Sequence, residues 1–497
     1  MGEKGQNRMN DGDFDASDFS DFDANDFGSD YKAPAPDKPE HPGPALPFLV
    51  DDVDLQAPPG FVGEIANWID GQCRYKRRNL SVATAIVSVG NIGGLRHVDA
   101  RDGVTANMMA FCVAASATGK EAVQQAMAEL HRAAGIGGAM QGAIKSEQEI
   151  MRNLIEHQPA FYLVDEVGIL LGKIRNAQKK GGAAYLEGVF GAIMSAYSKA
   201  NTHLLLGGDI KRDLRKVYGM ALSRAQDDGD APTIARAERM LGMIDNGLER
   251  PFLSLVGFTT PSTFDGIMDG ETATQGFVGR SIIVTEKDIN PEARVGFKRV
   301  PLSDGLQIQL AALYNGGAFD AMQKGSARIE HYGDMQEIGT TPEADKMLLD
   351  IASWLHGYAD DMGEHTGEAS VAMIRRSYEM IAKISFILGI HGGTRTAEHV
   401  RWAFAYVRQE IDAKIALVFA NDNAKDRPEE SIAARLMSFI DPDRGCSISV
   451  LANRIRMKPA ALLPILEKMK ASKMIDEVSR GRKYRGKAVT VWVTIRS

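Results

Sequence analysis

The sequence predicts an α/β chain: a mostly parallel sheet interleaved with helices, then a helical region, then a small basic C-terminal module. Three observations predict it. Apolar strand-like runs ("TANMMAFCV", "AFYLV", "FLSLVGF") are separated by segments of helical period. From about residue 303 the helical period takes over alone. Beyond about residue 430 the pattern is three short helices followed by strand, turn and strand.

Composition sets the outer limits. A chain of 497 residues can hold two or three domains, and its 44% hydrophobic and 25% charged residues are ordinary for a globular protein. No apolar run is long enough to span a bilayer, and the polar N-terminus does not read as a signal peptide. Cys73, Cys112 and Cys446 form no C-x-x-C pair, which argues against a disulfide scaffold or a cysteine zinc site and suits a reducing cytoplasm. The net charge of −7 conceals an asymmetry: residues 1–44 carry eleven acids against four bases, whereas residues 431–497 carry fourteen bases against five acids. A basic module on an acidic body points towards nucleic acid.

Residues 1–50 combine recurrent Asp-Phe pairs with a Pro-rich stretch and few aliphatic side chains, so they are expected to be disordered. Such a tail either solubilises the chain or acts as an acidic-aromatic segment that docks on a basic groove. Order is expected from about residue 55, where Pro58 and Pro59 open a helix with Phe61, Ile65, Trp68, Ile69 and Cys73 on one face. "LSVATAIVSVGNIGGL" reads as a second apolar helix, and Ser146 with Glu149 as a capping box on a later one. Residues 55–302 form the α/β core and 303–422 the helical region, in which Thr341-Pro342 starts a long helix. "NDNAKDRPEES" reads as a linker, and 430–497 as a winged helix-turn-helix.

The chemistry is expected at strand ends. "FCVAASATGKEA" places Ala117, Thr118, Gly119 and Lys120 between a strand and a helix, where backbone N–H groups and a lysine can cradle phosphates. The pattern is incomplete: Ala114 stands where a first glycine belongs, and Glu121 where a Mg²⁺-binding hydroxyl belongs. Glutamate can itself ligate Mg²⁺, although it adds negative charge beside a triphosphate. "FYLVDE" ends a strand in Asp165 and Glu166, suited to holding Mg²⁺ through water and to polarising an attacking water. Thr259 and Thr260 end a third strand, where a hydroxyl can sense a phosphate or serve a simple turn. "GFVGRSIIV" presents Arg280 before a further strand, either as a finger for a neighbouring subunit or as a surface arginine.

The ordered set "APPGFVGEIANWI", "ASATGKE", "FYLVDE", "FLSLVGFTTP", "GFVGRSIIV" and "TAEHVRWAFAYV" resembles a family of phage and prophage P-loop ATPases described as replication proteins or DNA helicases, over roughly residues 55–420. The resemblance implies a RecA/AAA-like P-loop NTPase core with a helical lid, ATP and Mg²⁺ as ligands, and an oligomeric, hexameric ring in a bacterial host cytoplasm. It assigns phosphate binding to Lys120, Mg²⁺ to Asp165, water activation to Glu166 and the finger to Arg280. Arg375 and Arg376 loosely resemble a lid-borne second sensor. DNA contacts are expected from a basic loop carrying Lys173, Arg175, Lys179 and Lys180, and from a wing carrying Arg480, Arg482, Lys483 and Arg485. The expected activity is an ATP-dependent helicase, translocase or replication initiator. The alternative is a nucleotide-regulated DNA-binding adaptor or helicase loader that unwinds nothing, with the acidic tail touching a host replication protein.

Overall fold

The computed structural model describes residues 45–180, 184–264, 276–286, 288, 291–315, 335–366, 368–426, 436–437, 439–440, 445–455, 457–471, 474–481 and 488–494. They fall into two compact units, one ending at Asn421 and the other beginning at Asp422.

The larger unit is built on five parallel strands: β2 (Met109–Val113), β3 (Met140–Gln141), β4 (Ala160–Val164), β7 (Leu253–Thr259) and β8 (Ser281–Thr285). Their order is β3-β4-β7-β2-β8, so β7 lies between the strand that precedes Gly119-Lys120 and the strand that ends at Asp165. All of β2 and β7 is buried, which is why both read as unbroken apolar runs rather than alternating ones. Helix α1 (Gly60–Gly71) follows Pro59 as its N-cap and buries Phe61, Ile65 and Ile69 as its spacing predicts, together with Val62 and Ala66, while Trp68 is only half-buried. Helix α2 (Arg78–Gly93) is apolar all round and buried all round, lying against β2, β7 and β8. Helix α3 (Lys120–Ala133) follows β2. Helix α4 (Glu147–Glu156) is capped by Ser146, whose hydroxyl accepts from Glu149 N at 3.2 Å; the Glu149 carboxylate reaches Lys145 N at 2.7 Å, one residue short of a reciprocal box.

Helices α5 (Val167–Lys180) and α6 (Ala184–Ser198) follow β4 and lie against β7. Gly257 permits this approach, since a Cβ there would sit 2.4 Å from Val167 Cγ1. The stretch read as a basic loop is therefore helix up to Lys180. Val167, Leu171 and Ile174 are buried at helical spacing, and that stripe outweighs the single Gly172. An antiparallel pair, β5 (His203–Leu204) and β6 (Leu248–Glu249), closes the base of a helical hairpin, α7 (Gly208–Asp228) and α8 (Ala231–Asn246).

The region after residue 303 is helical as expected, with long helices Pro342–Thr366, Glu368–Ile390 and Ala397–Asp426. It also contains two short strands that the sequence does not announce. β9 (Gln336–Thr340) and β10 (Thr394–Arg395) join β1 (His97–Asp99) in a second parallel sheet of order β1-β9-β10. A fully buried ion pair, Arg395 to Asp99 at 2.6 Å, ties its outer strands together. The Thr341 hydroxyl caps Pro342–Thr366 by accepting from Ala344 N at 3.3 Å.

Two expected boundaries shift. Residues 45–50 belong to the folded unit: Phe48 packs edge-on to Phe404 at 5.1 Å, and Arg401 Nε donates to the Leu49 carbonyl at 2.8 Å. The short apolar run "ALPFLV" supplies this contact, and averaging over an acidic 50-residue window hides it. Residues 1–44 lie outside the described residues. The expected linker begins as helix, since Ala397–Asp426 continues through its first six residues. Propagation is cheap once a helix exists, and the first breaker is Pro428, which disfavours helix at the residue before it.

The second unit contains helices Ile448–Ile455 and Pro459–Ala471 and an antiparallel hairpin, β11 (Ile475–Gly481) with β12 (Ala488–Thr494). Cys446 and Trp492 exchange backbone hydrogen bonds of 2.8 Å beside it. Its own small core includes Leu436, Leu451, Leu462, Leu466, Ile475 and Trp492. Among the described residues, no helix is long and apolar enough to cross a membrane.

Candidate functional site

At the C-terminal edge of the parallel sheet, three of the strand-end elements meet, those after β2, β4 and β7. The turn after β2 passes through Ala117 at φ 60° and Gly119 at φ 96° before α3 begins at Lys120. The left-handed backbone at Gly119 is available to glycine at little cost, and it delivers the lysine to the first helical position. Glu166 also adopts positive φ, 48°, just after β4. Among the described residues only Ala117, Glu166 and Arg250 do so without being glycine, and two of those three lie at this edge. Left-handed backbone costs about 1–2 kcal/mol for such residues and concentrates at functional sites.

Lys120 is half-buried, and its Nζ donates to the carbonyls of Ala114 and Thr259, each at 3.0 Å. The first belongs to the turn itself and the second to the end of β7, so the lysine bridges loop and neighbouring strand. Burial lowers its pKa, while Asp165 and Glu166 pull it back up. Those carboxylates are exposed at the end of β4. Gln124 on α3 donates to Asp165 Oδ1 at 3.2 Å, and the same oxygen accepts from Glu166 N at 3.0 Å. Glu121 is exposed on the first turn of α3 and accepts from Gln125 at 3.3 Å. Thr118 is buried, its hydroxyl donating to the Ala115 carbonyl at 2.7 Å. Thr259 is buried at the end of β7, where its Oγ1 packs close to Gly168 at the start of α5. Thr260 pairs with Thr263 through their hydroxyls at 2.9 Å.

The structure thus brings Ala117, Thr118, Gly119, Lys120, Glu121, Asp165, Glu166 and Thr259 to one edge. Arg280 lies at the other. Ser281 pairs with Met109 and Thr285 with Val113, so Arg280 precedes β8 at the N-terminal edge, about 16 Å from the end that carries Lys120 at ~3.3 Å per residue. Arg375 and Arg376, which loosely resemble a second sensor, do not lie at the Lys120 edge. Arg376 sits beside Arg280, because its helix packs on the turn Val278–Arg280, and the exposed Arg375 pairs with Asp360 at 3.2 Å. Of the expected DNA contacts, Lys173 is exposed on α5. The side chains of Arg175, Lys179, Lys180 and Arg480 lie outside the described residues, as do Arg482, Lys483 and Arg485 entirely.

Sequence reading missed two residues at the loop. Arg77, the N-cap residue of α2, is fully buried; its Nε donates to the Thr118 carbonyl at 2.6 Å and its Nη1 to the Asp288 carbonyl at 3.3 Å. Its Nη2 has no hydrogen-bond partner among the described residues. Tyr75 packs its ring against Gly119, 3.2 Å from where a Cβ would stand. The signal was the basic run "RYKRRN", which does not reveal which arginine turns inward.

The arrangement suits a phosphate group approached by a lysine, by the N–H groups opening α3, and by two carboxylates one strand away. Among the described residues no group of three or more His, Cys, Asp or Glu side chains is placed to hold a metal ion. Two carboxylates with phosphate oxygens and water are nevertheless a normal Mg²⁺ set. In sequence comparisons, no protein-family model and no curated protein matches this chain.

Proposed function

We propose that the chain is an ATP-hydrolysing, DNA-directed replication protein, a helicase, translocase or initiator acting as an oligomer, with a RecA/AAA-like P-loop core. The observation that carries this reading is the convergence of Lys120, Asp165, Glu166 and Thr259 on one edge of a parallel sheet, the edge at which open α/β sheets bind ligands. The interposed strand β7 between the lysine strand and the acid strand supports a RecA/AAA-like core.

In this reading the loop N–H groups and Lys120 hold the β- and γ-phosphates. Asp165 through water, and Glu121 directly, are the carboxylates that would hold Mg²⁺, which supplies charge neutralisation when bound. Glu166 orients and polarises the attacking water, with its backbone fixed by its bond to Asp165. Arg280 serves the nucleotide of a neighbouring copy. The basic second unit, with two helices and a hairpin, is read as a winged helix that contacts DNA backbone.

The adaptor reading has its own support. Glu121 replaces the metal-binding hydroxyl, and Lys120 is already satisfied by two carbonyls. ATP turnover with and without single-stranded DNA decides between them. The wild type is expected to show DNA-stimulated turnover. Lys120→Ala is expected to lose nucleotide binding, and Glu166→Gln to keep binding while turnover drops by roughly 10²–10⁴-fold. A wild-type chain that binds ATP without hydrolysing it, even on DNA, would leave the adaptor in possession.

A further inference from the structure

We propose that the acidic-aromatic segment of residues 11–31 docks on the outward face of helix Pro459–Ala471, in the second unit of the same chain. The docking stands without the function proposed above; displacement of the segment by DNA rests on that reading.

The helix turns Leu462, Leu466 and Met469 into the small core. Its exposed positions are Pro459, Ala460, Ala461, Leu463 and Pro464 in the first half, then Glu467, Lys468, Lys470 and Ala471. Leu463 is 41% exposed. The first eight residues, "PAALLPIL", carry no side-chain hydrogen-bond donor or acceptor. Base edges are read chiefly by such groups, near the start of a recognition helix. This helix offers none over its first two turns. It offers instead an apolar strip between Lys458 and Lys468, both exposed. An apolar surface rimmed by charge marks a place of protein contact.

Composition and charge select the occupant. Residues 11–31 read "DGDFDASDFSDFDANDFGSDY": eight aspartates, four phenylalanines and a tyrosine, with no base. Phenylalanine brings apolar area to the strip, and aspartate brings charge to its lysine rim. The same balance selects the second unit over the rest of the chain. Residues 431–497 carry fourteen bases against five acids, whereas residues 45–430 carry forty bases against forty-nine acids. The larger unit therefore repels the segment on average, and the second unit attracts it.

The tether is long enough for the same chain to supply it. Residues 45–50 are held on helix Ala397–Asp426 by the packing of Phe48 on Phe404 and the bond from Arg401 to the Leu49 carbonyl. From Phe404 to the end of that helix is twenty-two residues, about 33 Å. The fourteen residues 32–45 span up to about 50 Å when extended. Leu436, the first residue of the small core, follows ten residues after Asp426. A segment tethered this closely acts at an effective concentration on the order of millimolar, which favours it over a second copy or a separate protein.

The test uses the full chain with the photo-crosslinker p-benzoylphenylalanine in place of Phe22, irradiated and mapped by mass spectrometry. The cross-link is expected within residues 459–471. Leu463→Glu, or Lys458→Glu with Lys468→Glu, is expected to lower its yield roughly tenfold. Lys458→Arg with Lys468→Arg is expected to preserve it. All three positions are exposed, and circular dichroism establishes that each variant is folded. A cross-link to the larger unit overturns the proposal, as does a yield that survives both kinds of substitution. So does the absence of any cross-link within the protein, the result for a segment reserved for another partner. Mixing isotope-labelled with unlabelled chains identifies the donor: a cross-link of mixed mass means that a second copy supplies the segment and overturns the same-chain assignment. Duplex DNA is then added. Loss of the cross-link supports displacement. A cross-link that persists on a chain carrying bound DNA overturns displacement and leaves the docking in place. A chain that binds no DNA removes the DNA reading together with displacement, while the cross-link still decides the docking.

Discussion

Arg77 carries a charge that is fully out of water, yet no salt bridge within 4.0 Å links it to an acid among the described residues. It donates to backbone carbonyls, one of them Thr118 in the turn after β2, and the Glu286 carboxylate bears on it electrostatically. Fixing that carbonyl orients the Thr118–Gly119 peptide, and on the proposed reading it sets the loop N–H groups and a positive charge beside the phosphates. Arg77→Met is therefore expected to weaken nucleotide binding roughly 10–100-fold, the scale of one charge-assisted hydrogen bond. Arg77→Lys should fall between, because an ammonium keeps the charge and loses the fork. Circular dichroism establishes that each variant is folded at the assay temperature; unchanged affinity in folded Arg77→Met would sink the assignment. At this scale legibility was divided. Lys120, Asp165 and Glu166 follow apolar strands and announce themselves, whereas Arg77 sits in a run of similar bases whose orientation is decided by tertiary packing alone.

At the scale of elements, the long helix Ala397–Asp426 does more than cover the core. Strand β8 is an edge strand, and two of its outward backbone groups are taken by one turn of that helix: Ile283 N donates to Glu410 Oε1 at 2.6 Å, and Lys414 Nζ donates to the Ser281 carbonyl. Glu410 and Lys414 also pair with each other at 2.7 Å, both nearly inaccessible to water. Burial pushes the Glu410 pKa up and the Lys414 pKa down, and the pairing opposes both shifts. Lys414→Met strands a carboxylate in the interior and is expected to cost about 3–5 kcal/mol in urea unfolding. The double variant Glu410→Gln with Lys414→Met should cost clearly less than the two single losses combined. Strict additivity would show that the pair is not coupled. The helix itself was legible from its period, but its pairing with a sheet edge was not, because the i,i+4 Glu–Lys spacing is the same as that of any exposed pair. The strands of the second sheet were hidden for another reason: β1 and β10 are too short to express a period, and β1 pairs with a strand more than two hundred residues away.

For the whole molecule, the division near residue 421 separates two cores with different contents. The larger is a continuous apolar cluster built around the parallel sheet, and the smaller gathers around Trp492. Residues 45–426 without the remainder should unfold with the same midpoint as the main transition of the full chain. The full chain should show a second, smaller transition reported by Trp492 fluorescence. A single transition lost on truncation would mean that the two cores fold as one. The acidic body and basic C-terminal unit were evident from composition, as was the alternation of strands and helices. The order of strands was not, since sequence carries no record of which strand is inserted between which.

The bonds of Lys120 have a bearing on affinity. Its ammonium is held by the Ala114 and Thr259 carbonyls. Any ligand must therefore outcompete two internal acceptors rather than simply arrive. On the proposed reading the loop carries its own competitor, and the ligand's phosphate oxygens must displace both carbonyls before any chemistry begins.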